Sequence, residues 1–173
     1  MFMKGVVELQ PKTMTMTNEK FLIREMDELI EAYYDKIYKY CFSLLRNTYD
    51  AEDAVQEVFI KAMKHGKLVT IENPNAWLYK ISYFHCLNKI KRKKLKSFIP
   101  FIEQEATPIA LDHDKDDQLE QILVHLKPEE RSLLLLRVIE NYSFEEIGQI
   151  FEKPPATIRK RYERLKVKVK NLL

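Results

Sequence analysis

The stretch Asn73–Lys96, reading NPNAWLYKISYFHCLNKIKRKKLK, constrains the fold of this chain more than any other. Asn73 is a good helix cap and Pro74 suits the first helical position, so a helix begins here. Wound as a helix, Trp77, Leu78, Tyr79, Ile81, Tyr83, Phe84, Cys86, Leu87 and Ile90 leave almost no polar side. A helix that is apolar all round is either fully buried or packed against more than one partner surface. Its far end has the opposite character, with Lys89, Lys91, Arg92, Lys93, Lys94 and Lys96 crowding the last turns. Aromatic side chains that run into a cationic end suit a surface that stacks on bases and holds phosphates. The plainer reading is a core helix whose basic end complements its own dipole.

The remainder is also helical in texture. Only three glycines occur in 173 residues, which disfavours barrels and nucleotide-binding α/β folds and predicts an all-α protein. Hydrophobic residues at 46% are enough to build cores, so the chain is not intrinsically disordered. The net charge is only +3, and the placement of charge therefore matters more than its sum. Cys41 and Cys86 lack any CxxC or Cys/His ligand spacing and read as buried thiols in a reducing compartment. No run approaches the roughly twenty apolar residues of a membrane span, and no basic-then-apolar leader opens the chain; a cytoplasmic protein is expected.

Residues 1–18, rich in Thr and Met, read as a flexible tail. From Glu19, apolar residues from Phe21 to Leu45 recur at three- and four-residue steps, predicting one long helix or two in line ending near Arg46-Asn47. Asp50 reads as the cap of a second helix, Ala51–His65, with Glu52 and Asp53 in its first turn and Gly66 closing it. Ala54, Val55, Val58, Phe59 and Ala62 form the apolar face of that helix; Asp53, Gln56, Glu57 and Lys61 form a polar ridge opposite. Ser97–Asp117 carries Pro100, Pro108 and a cluster of acids from Glu103 to Asp117, interleaved with Phe98, Ile99, Phe101 and Ile102. It reads as a linker. The expected division is a tail at 1–18, a domain at 19–97, a linker at 98–117 and a second domain at 118–173.

The second domain is expected to be a compact helical unit. Leu119, Ile122, Leu123 and Leu126 mark one helix. Pro128 starts another, with Leu133 to Leu136, Val138 and Ile139 as its core. Ser143-Phe-Glu-Glu146 is a capping-box pattern opening a short helix with Ile147, Ile150 and Phe151 inward. After the turn Glu152-Lys-Pro-Pro155 comes a basic helix whose Ile158, Tyr162, Leu165 and Val169 face the core. A capped short helix, a tight turn and a basic helix make a helix-turn-helix, whose second helix enters the major groove by its N-terminal end. Thr157, Arg159, Lys160 and Arg161 form the groove-facing group. Arginine reads guanine edges in bidentate fashion, and lysine mostly fixes register on phosphates. The plain alternative is a helical hairpin with a basic surface.

In order and spacing, DAEDAVQEVFIKAM (Asp50–Met63), AWLYKIS (Ala76–Ser82), LKPEERSLLLLR (Leu126–Arg137) and YSFEEIGQIF with TIRKRYERLK (Tyr142–Lys166) resemble the alternative sigma factors of bacterial RNA polymerase, of the extracytoplasmic-function (ECF) type of the sigma-70 family. The resemblance covers about Tyr33–Lys96 and Leu119–Leu173. It implies two helical domains, a sigma region 2 bundle and a sigma region 4 helix-turn-helix, joined by the acidic linker. It implies that Asp53, Gln56, Glu57 and Phe59 dock on the β′ clamp helices of core polymerase. It assigns the −10 promoter element, melted with a base flipped into a pocket at Gly66–Asn75, to the loop and helix that carry Trp77, Asn88, Lys91 and Arg92. The −35 element falls to Thr157, Arg159, Lys160, Arg161 and Arg164, the β flap to the leucine-rich helix after Pro128, and the RNA path to the linker. A dedicated anti-sigma factor anchored in the membrane is a common further partner of the type.

Three departures stand out. Phe84 occupies a position where many relatives carry Asn. Ala156-Thr157 replaces Gly-Thr at the start of the recognition helix. Gly148 replaces a small Ala, which is expected to cost helix stability.

Rival readings are weaker. Asp53 and Glu57 are one turn apart and Asp112-His113-Asp114 looks like ligand chemistry, but surface carboxylates on helices are far more often solvated or interfacial. His65, His85, His113 and His125 converge with neither cysteine in sequence, and no Gly-rich phosphate loop or nucleophile elbow is present. No enzyme, metal or cofactor is therefore expected. Trp77 is open between a DNA wedge and a core anchor, with its apolar surroundings favouring the anchor. A stand-alone helix-turn-helix regulator would explain the C-terminal domain but leave Asp50–Lys96 without a purpose. A plain interaction protein that never touches DNA leaves the basic last helix unexplained.

Overall fold

The computed structural model of the protein describes residues 16–65, 71–96 and 116–173, apart from the side chains of 16–23, 25, 26, 116 and 117. Among the described residues there are seven α-helices and no strand: α1 Met16–Leu45, α2 Thr48–Lys64, α3 Pro74–Lys96, α4 Asp116–Val124, α5 Pro128–Leu134, α6 Phe144–Phe151 and α7 Pro155–Lys170. The tail through residue 15, Gly66 with the loop to residue 70, and the linker from 97 to 115 lie outside the described residues. The chain divides into two compact units, Met1–Ala32 and Tyr33–Leu173. In the first, Arg24 pairs with Glu28 one turn on at 3.1 Å. All that follows concerns the second.

α1 ends where Arg46 turns left-handed (φ 57°) and its N–H closes on Phe42 O at 2.8 Å. The cap of α2 is Asn47, not Asp50: Asn47 Oδ1 accepts the Asp50 N–H at 3.0 Å, and the helix starts at Thr48. Asp50 is thereby placed in the first turn, with its carboxylate committed elsewhere. At the other end of α2, His65 closes the helix through its N–H to Lys61 O. Ala51, Ala54 and Ala62 are fully buried, their small side chains allowing close approach, with Val55, Val58 and Phe59 filling the same face. Phe59 stacks on Tyr34 of α1, the ring centres 6.3 Å apart.

α3 is covered from two sides, as its all-round apolar surface demands. One side meets α1 and α2: Tyr40 lies edge-on to Tyr79 at 4.9 Å, and the buried Cys41 and Cys86 thiols are neighbours. That contact and burial push the Cys86 thiol well up, leaving it inert as a nucleophile. The other side meets the C-terminal half. Tyr83 stacks on Phe151 of α6 at 4.2 Å, Tyr79 lies edge-on to Tyr142 at 5.8 Å, and Lys80 pairs with Glu152 at 2.9 Å. The seam continues at the end of α1. Tyr40 and Ser132 share a buried hydrogen bond of 2.5 Å, and Arg46 pairs with Glu120 at 2.6 Å. The Arg131 guanidinium donates to the carbonyls of Ser43 and Leu44, at 3.1 and 3.4 Å, and to Leu123 at 2.6 Å. It thus satisfies carbonyls that the end of α1 leaves without helical partners.

The C-terminal half packs around Leu123, Leu126, Leu133, Leu136, Ile147, Ile150, Ile158 and Leu165, all buried. Val138 and Ile139 are about half exposed, at 49% and 51%, and do not join this core. The reason is a π turn, Leu135–Ile139, in which Glu140 N–H reaches back five residues to Leu135 O at 3.0 Å. The wider turn rotates the following side chains off the face that a regular helical period assigns them. Glu130 fastens α7 to α5 by accepting from Lys168 Nζ at 2.7 Å.

α6 is only eight residues long, too short to persist alone. Burial of Ile147, Ile150 and Phe151 holds it, at about 1.5–3 kcal/mol each. Its start is the reciprocal box foreseen in the sequence: Glu146 N–H to Ser143 Oγ at 3.1 Å and Ser143 N–H to Glu146 Oε2 at 2.7 Å. Glu152 then turns left-handed (φ 54°). The turn folds back so closely that a Cβ on Gly148 would meet Lys153 O at 2.7 Å. Glycine is therefore required here, which reverses the expectation that alanine would stabilise α6. Gly148→Ala is expected to cost about 1–3 kcal/mol, as overpacking does. A thermal melt should show Tm lower by several degrees; an unchanged or raised Tm would contradict the close approach.

Candidate nucleic-acid and polymerase interface

α2 and α3 run side by side, and an open groove of about 650 Å³ lies along their junction. Asp53 and Glu57 of the α2 ridge form one wall, with Lys61. Trp77, Phe84, Asn88 and Arg92 form the other, together with Lys80, Ile81, His85 and Lys89. On α3 these residues follow three- and four-residue steps, which align them on one face. The groove therefore brings together two of the expected docking residues, Asp53 and Glu57, and three of the expected strand residues, Trp77, Asn88 and Arg92. Gln56 and Lys91 are exposed outside its lining. Phe59 does not belong to the ridge: it is 5% exposed and packed on Tyr34. Trp77 is half-buried, edge-on to His65 at 5.1 Å, with a face to the groove, so it is neither a free wedge nor a fully covered anchor. Asn73 Oδ1 accepts the Ala76 N–H at 3.0 Å and fixes where this wall begins.

Lys80 was not named by sequence reasoning, and Lys61, His85 and Lys89 were named there without a part in this groove. The stripe Trp77, Ile81, Phe84, Asn88, Arg92 could have found the wall, since it keeps one helical face over four turns. The ion pairs of Lys89 and Lys93 with Asp50 and Asp53 could not have been found, because each joins residues more than thirty positions apart.

The groove mixes charges. Lys89 lies between Asp53 and Asp50, bonded to the first and 3.5 Å from the second; Asp50 also pairs with Lys93. The hydrogen bond from Lys89 holds the Asp53 carboxyl below its usual range. Burial works to lower the Lys89 ammonium, and the two carboxylates outweigh it and raise it. His85 receives a hydrogen bond at Nδ1 from Lys61 Nζ at 3.0 Å, so its proton sits on Nε2, which is buried without a partner among the described residues. Burial, then Lys61 and Lys89, push its pKa below the ordinary value, against weaker opposition from Glu57 and Asp53.

The helix-turn-helix presents its own surface. Arg159, Lys160, Arg161 and Arg164 are exposed on α7, and Thr157 is half-buried at its start. The Arg159 guanidinium lies over the Phe144 ring at 5.4 Å and 3.6 Å from Glu145, so α6 pre-orients it. Arg161 lies near enough to Tyr83 to stabilise its phenolate, although burial dominates and pushes that phenol up to about 12.

Residues 29–96 match the Sigma-70 region 2 family and residues 116–169 the Sigma-70 region 4 family. The chain is 26% identical over 154 residues to the ECF RNA polymerase sigma factor SigW of Bacillus subtilis, covering 79% of this chain and 82% of that protein. It is 30% identical over 135 residues to the RNA polymerase sigma factor SigV of the same organism, covering 75% and 80%. Among solved structures, the sigma factor RpoE of Bartonella quintana, crystallised with the anti-sigma factor NepR, superposes with a TM-score of 0.66 at 23% identity, covering 86% of this chain and 96% of that one.

The His85 environment has a consequence for stability. Its folded pKa lies below the ordinary 6.5, so as the pH falls the unfolded chain takes up this proton first. The stabilisation is complete above about pH 6.5 and is lost as the pH falls towards the folded value. His85→Gln should flatten the dependence of Tm on pH between about pH 7 and 5. A variant with the same slope as the natural chain would rule His85 out as the group responsible.

Proposed function

Since the chain belongs to the ECF type of the sigma-70 family of RNA polymerase sigma factors, we propose that its two helical halves divide the work of promoter recognition between the α2–α3 groove and α7. As a sigma factor it binds core RNA polymerase and directs initiation at promoters. The observation that supports the division of labour is the groove, where an acidic ridge and a basic, aromatic wall share one surface.

In this reading Asp53, Gln56 and Glu57 dock on the β′ clamp helices. Trp77, Asn88, Lys91 and Arg92 hold the displaced strand of the −10 element, with Phe84 supplying an aromatic face at the position where relatives place Asn. Unstacking a base costs a few kcal/mol, which an aromatic and cationic wall can offset. Thr157, Arg159, Lys160, Arg161 and Arg164 read the −35 element, and the partly exposed Val138 and Ile139 beyond α5 offer apolar surface to the β flap. Residues 19–97 form the region 2 domain, 98–117 the linker and 118–173 the region 4 domain. The chain is a specificity subunit without catalysis of its own, acting on cytoplasmic polymerase. By likeness to the Bartonella complex, an anti-sigma factor is its further partner.

Two variants test the roles. Arg159→Ala with Arg161→Ala removes base contacts of about 1–3 kcal/mol each, so −35-dependent transcription should fall tenfold or more while polymerase binding persists. Loss of polymerase binding in that variant would overturn the assignment of α7. Gln56→Ala with Glu57→Ala should weaken the complex with sigma-free core polymerase about tenfold, read by native gel, with an unchanged melt. Unaltered affinity would remove the ridge from the interface.

A further inference from the structure

Among the described residues, Arg159 is the one cation of the proposed −35 set that lies over an aromatic ring, its guanidinium 5.4 Å from the centre of Phe144. The ring is itself fixed. The Arg137 guanidinium lies 4.8 Å from the same centre and is anchored by donating to Tyr142 O at 2.9 Å. Tyr162, one turn beyond Arg159 on α7, tilts against Phe144 at 5.5 Å. Phe144 begins α6 directly after the Ser143 cap, whose reciprocal bonds with Glu146 hold that first turn. Glu145 also approaches Arg159, at 3.6 Å, which is too long for a hydrogen bond. Both side chains of that pair are more than half exposed, so water and salt weaken it. The ring restrains Arg159 through packing as well as charge, and the carboxylate steers it without occupying its N–H groups.

We propose that Phe144 is a positioning residue for promoter recognition: its ring holds the Arg159 guanidinium ready for the base edges, and so sets how strictly one base pair of the −35 element must carry guanine. The inference rests on the assignment of α7 to the −35 element made above. A guanidinium presents its donors as a planar fork that matches O6 and N7 of guanine, and only a correctly aimed fork makes both bonds. A free arginine at an exposed helix position samples many rotamers and loses that freedom on binding. It can also swing to a neighbouring phosphate, a contact that carries no sequence information. Held on Phe144, Arg159 has part of that ordering done before DNA arrives, and the swing to phosphate is disfavoured. An aliphatic side chain of similar bulk fills the same space but lacks the negative ring face that attracts the cation.

The test assembles the full chain and its variants with sigma-free core polymerase on a promoter library randomised across both elements, and counts transcripts by sequencing. Arg159→Ala should erase a guanine preference at one base pair. Phe144→Leu should lower the preference at that same pair about two- to fivefold, the range of an exposed cation–π contact, and leave the other pairs unchanged. Phe144→Tyr, which keeps the ring, should retain the natural preference. In the Arg159→Ala background, Phe144→Leu should add nothing. The inference is overturned if Phe144→Leu keeps the natural preference, if it weakens pairs that Arg159→Ala leaves alone, or if its effect persists without Arg159. Should Phe144→Leu melt below the assay temperature, Phe144→Met, which lacks the branch, takes its place in the same comparison. If Arg159→Ala alters no base pair, the reading of the −35 element by Arg159 falls, and this inference with it; a preference lost in Arg159→Ala but kept in Phe144→Leu sinks this inference alone.

Discussion

Covering α3 on two sides is the constraint from which the rest of this structure follows. A helix with Tyr79 and Tyr83 buried at 1% and 3% cannot be satisfied by one neighbour. α1 and α2 take one side, and α6 takes the other through a short ring stack. Because α6 is itself only two turns long, the dependence is mutual: Phe151 completes the cover of Tyr83, and Tyr83 helps hold α6 in place. The buried Tyr40–Ser132 hydrogen bond and the Arg131 contacts to α1 carbonyls extend the same seam. Polar groups at such a seam must find partners within it, and these do.

Much of this was legible in the sequence wherever the signal is local. The Asn73 cap, the Ser143–Glu146 box and the inward faces of α2 and α6 depend on residues within a turn of one another, and periodicity or capping chemistry reveals them. The resemblance to sigma factors rests on such local motifs too. What sequence missed depends on contacts between distant positions. Asn47 and Asp50 are equally good caps; Asn47 serves because Lys89 and Lys93 claim the Asp50 carboxylate. Phe59 leaves the ridge because Tyr34, twenty-five residues earlier, stacks on it. Val138 and Ile139 leave the core because one π turn breaks the period that assigned them to it. Gly148 looked like a weakness until the Lys153 carbonyl was placed beside it.

The candidate site divides in the same way. Asn88 and Arg92 could be picked from their position on a basic helix, and Asp53 and Glu57 from their position on a polar ridge. That the two sets face one groove could not, because it depends on the register of α2 against α3. The electrostatic character of the groove is likewise tertiary. A net charge of +3 says little about a surface on which carboxylates and ammoniums from different helices neutralise one another at close range.

The seam also bears on how such a molecule works on a promoter. Elements named for positions −10 and −35 lie about 25 base pairs apart, or about 85 Å of duplex. In this structure α3, which belongs to the half assigned to the first element, is in ring contact with α6, which precedes the helix assigned to the second. Arg161 lies close enough to α3 to act on Tyr83. On those assignments, two surfaces so joined cannot occupy both elements at once, and the seam parts when promoter and polymerase are engaged. Its composition suits that demand. Tyr79, Tyr83 and Tyr142 carry hydroxyls, and Lys80 and Glu152 pair where both side chains are already partly in water. Each of these groups can be rehydrated on opening at less cost than a wholly aliphatic interface would incur. The aromatic faces released on α3 then become surface that polymerase or nucleic acid can cover in turn.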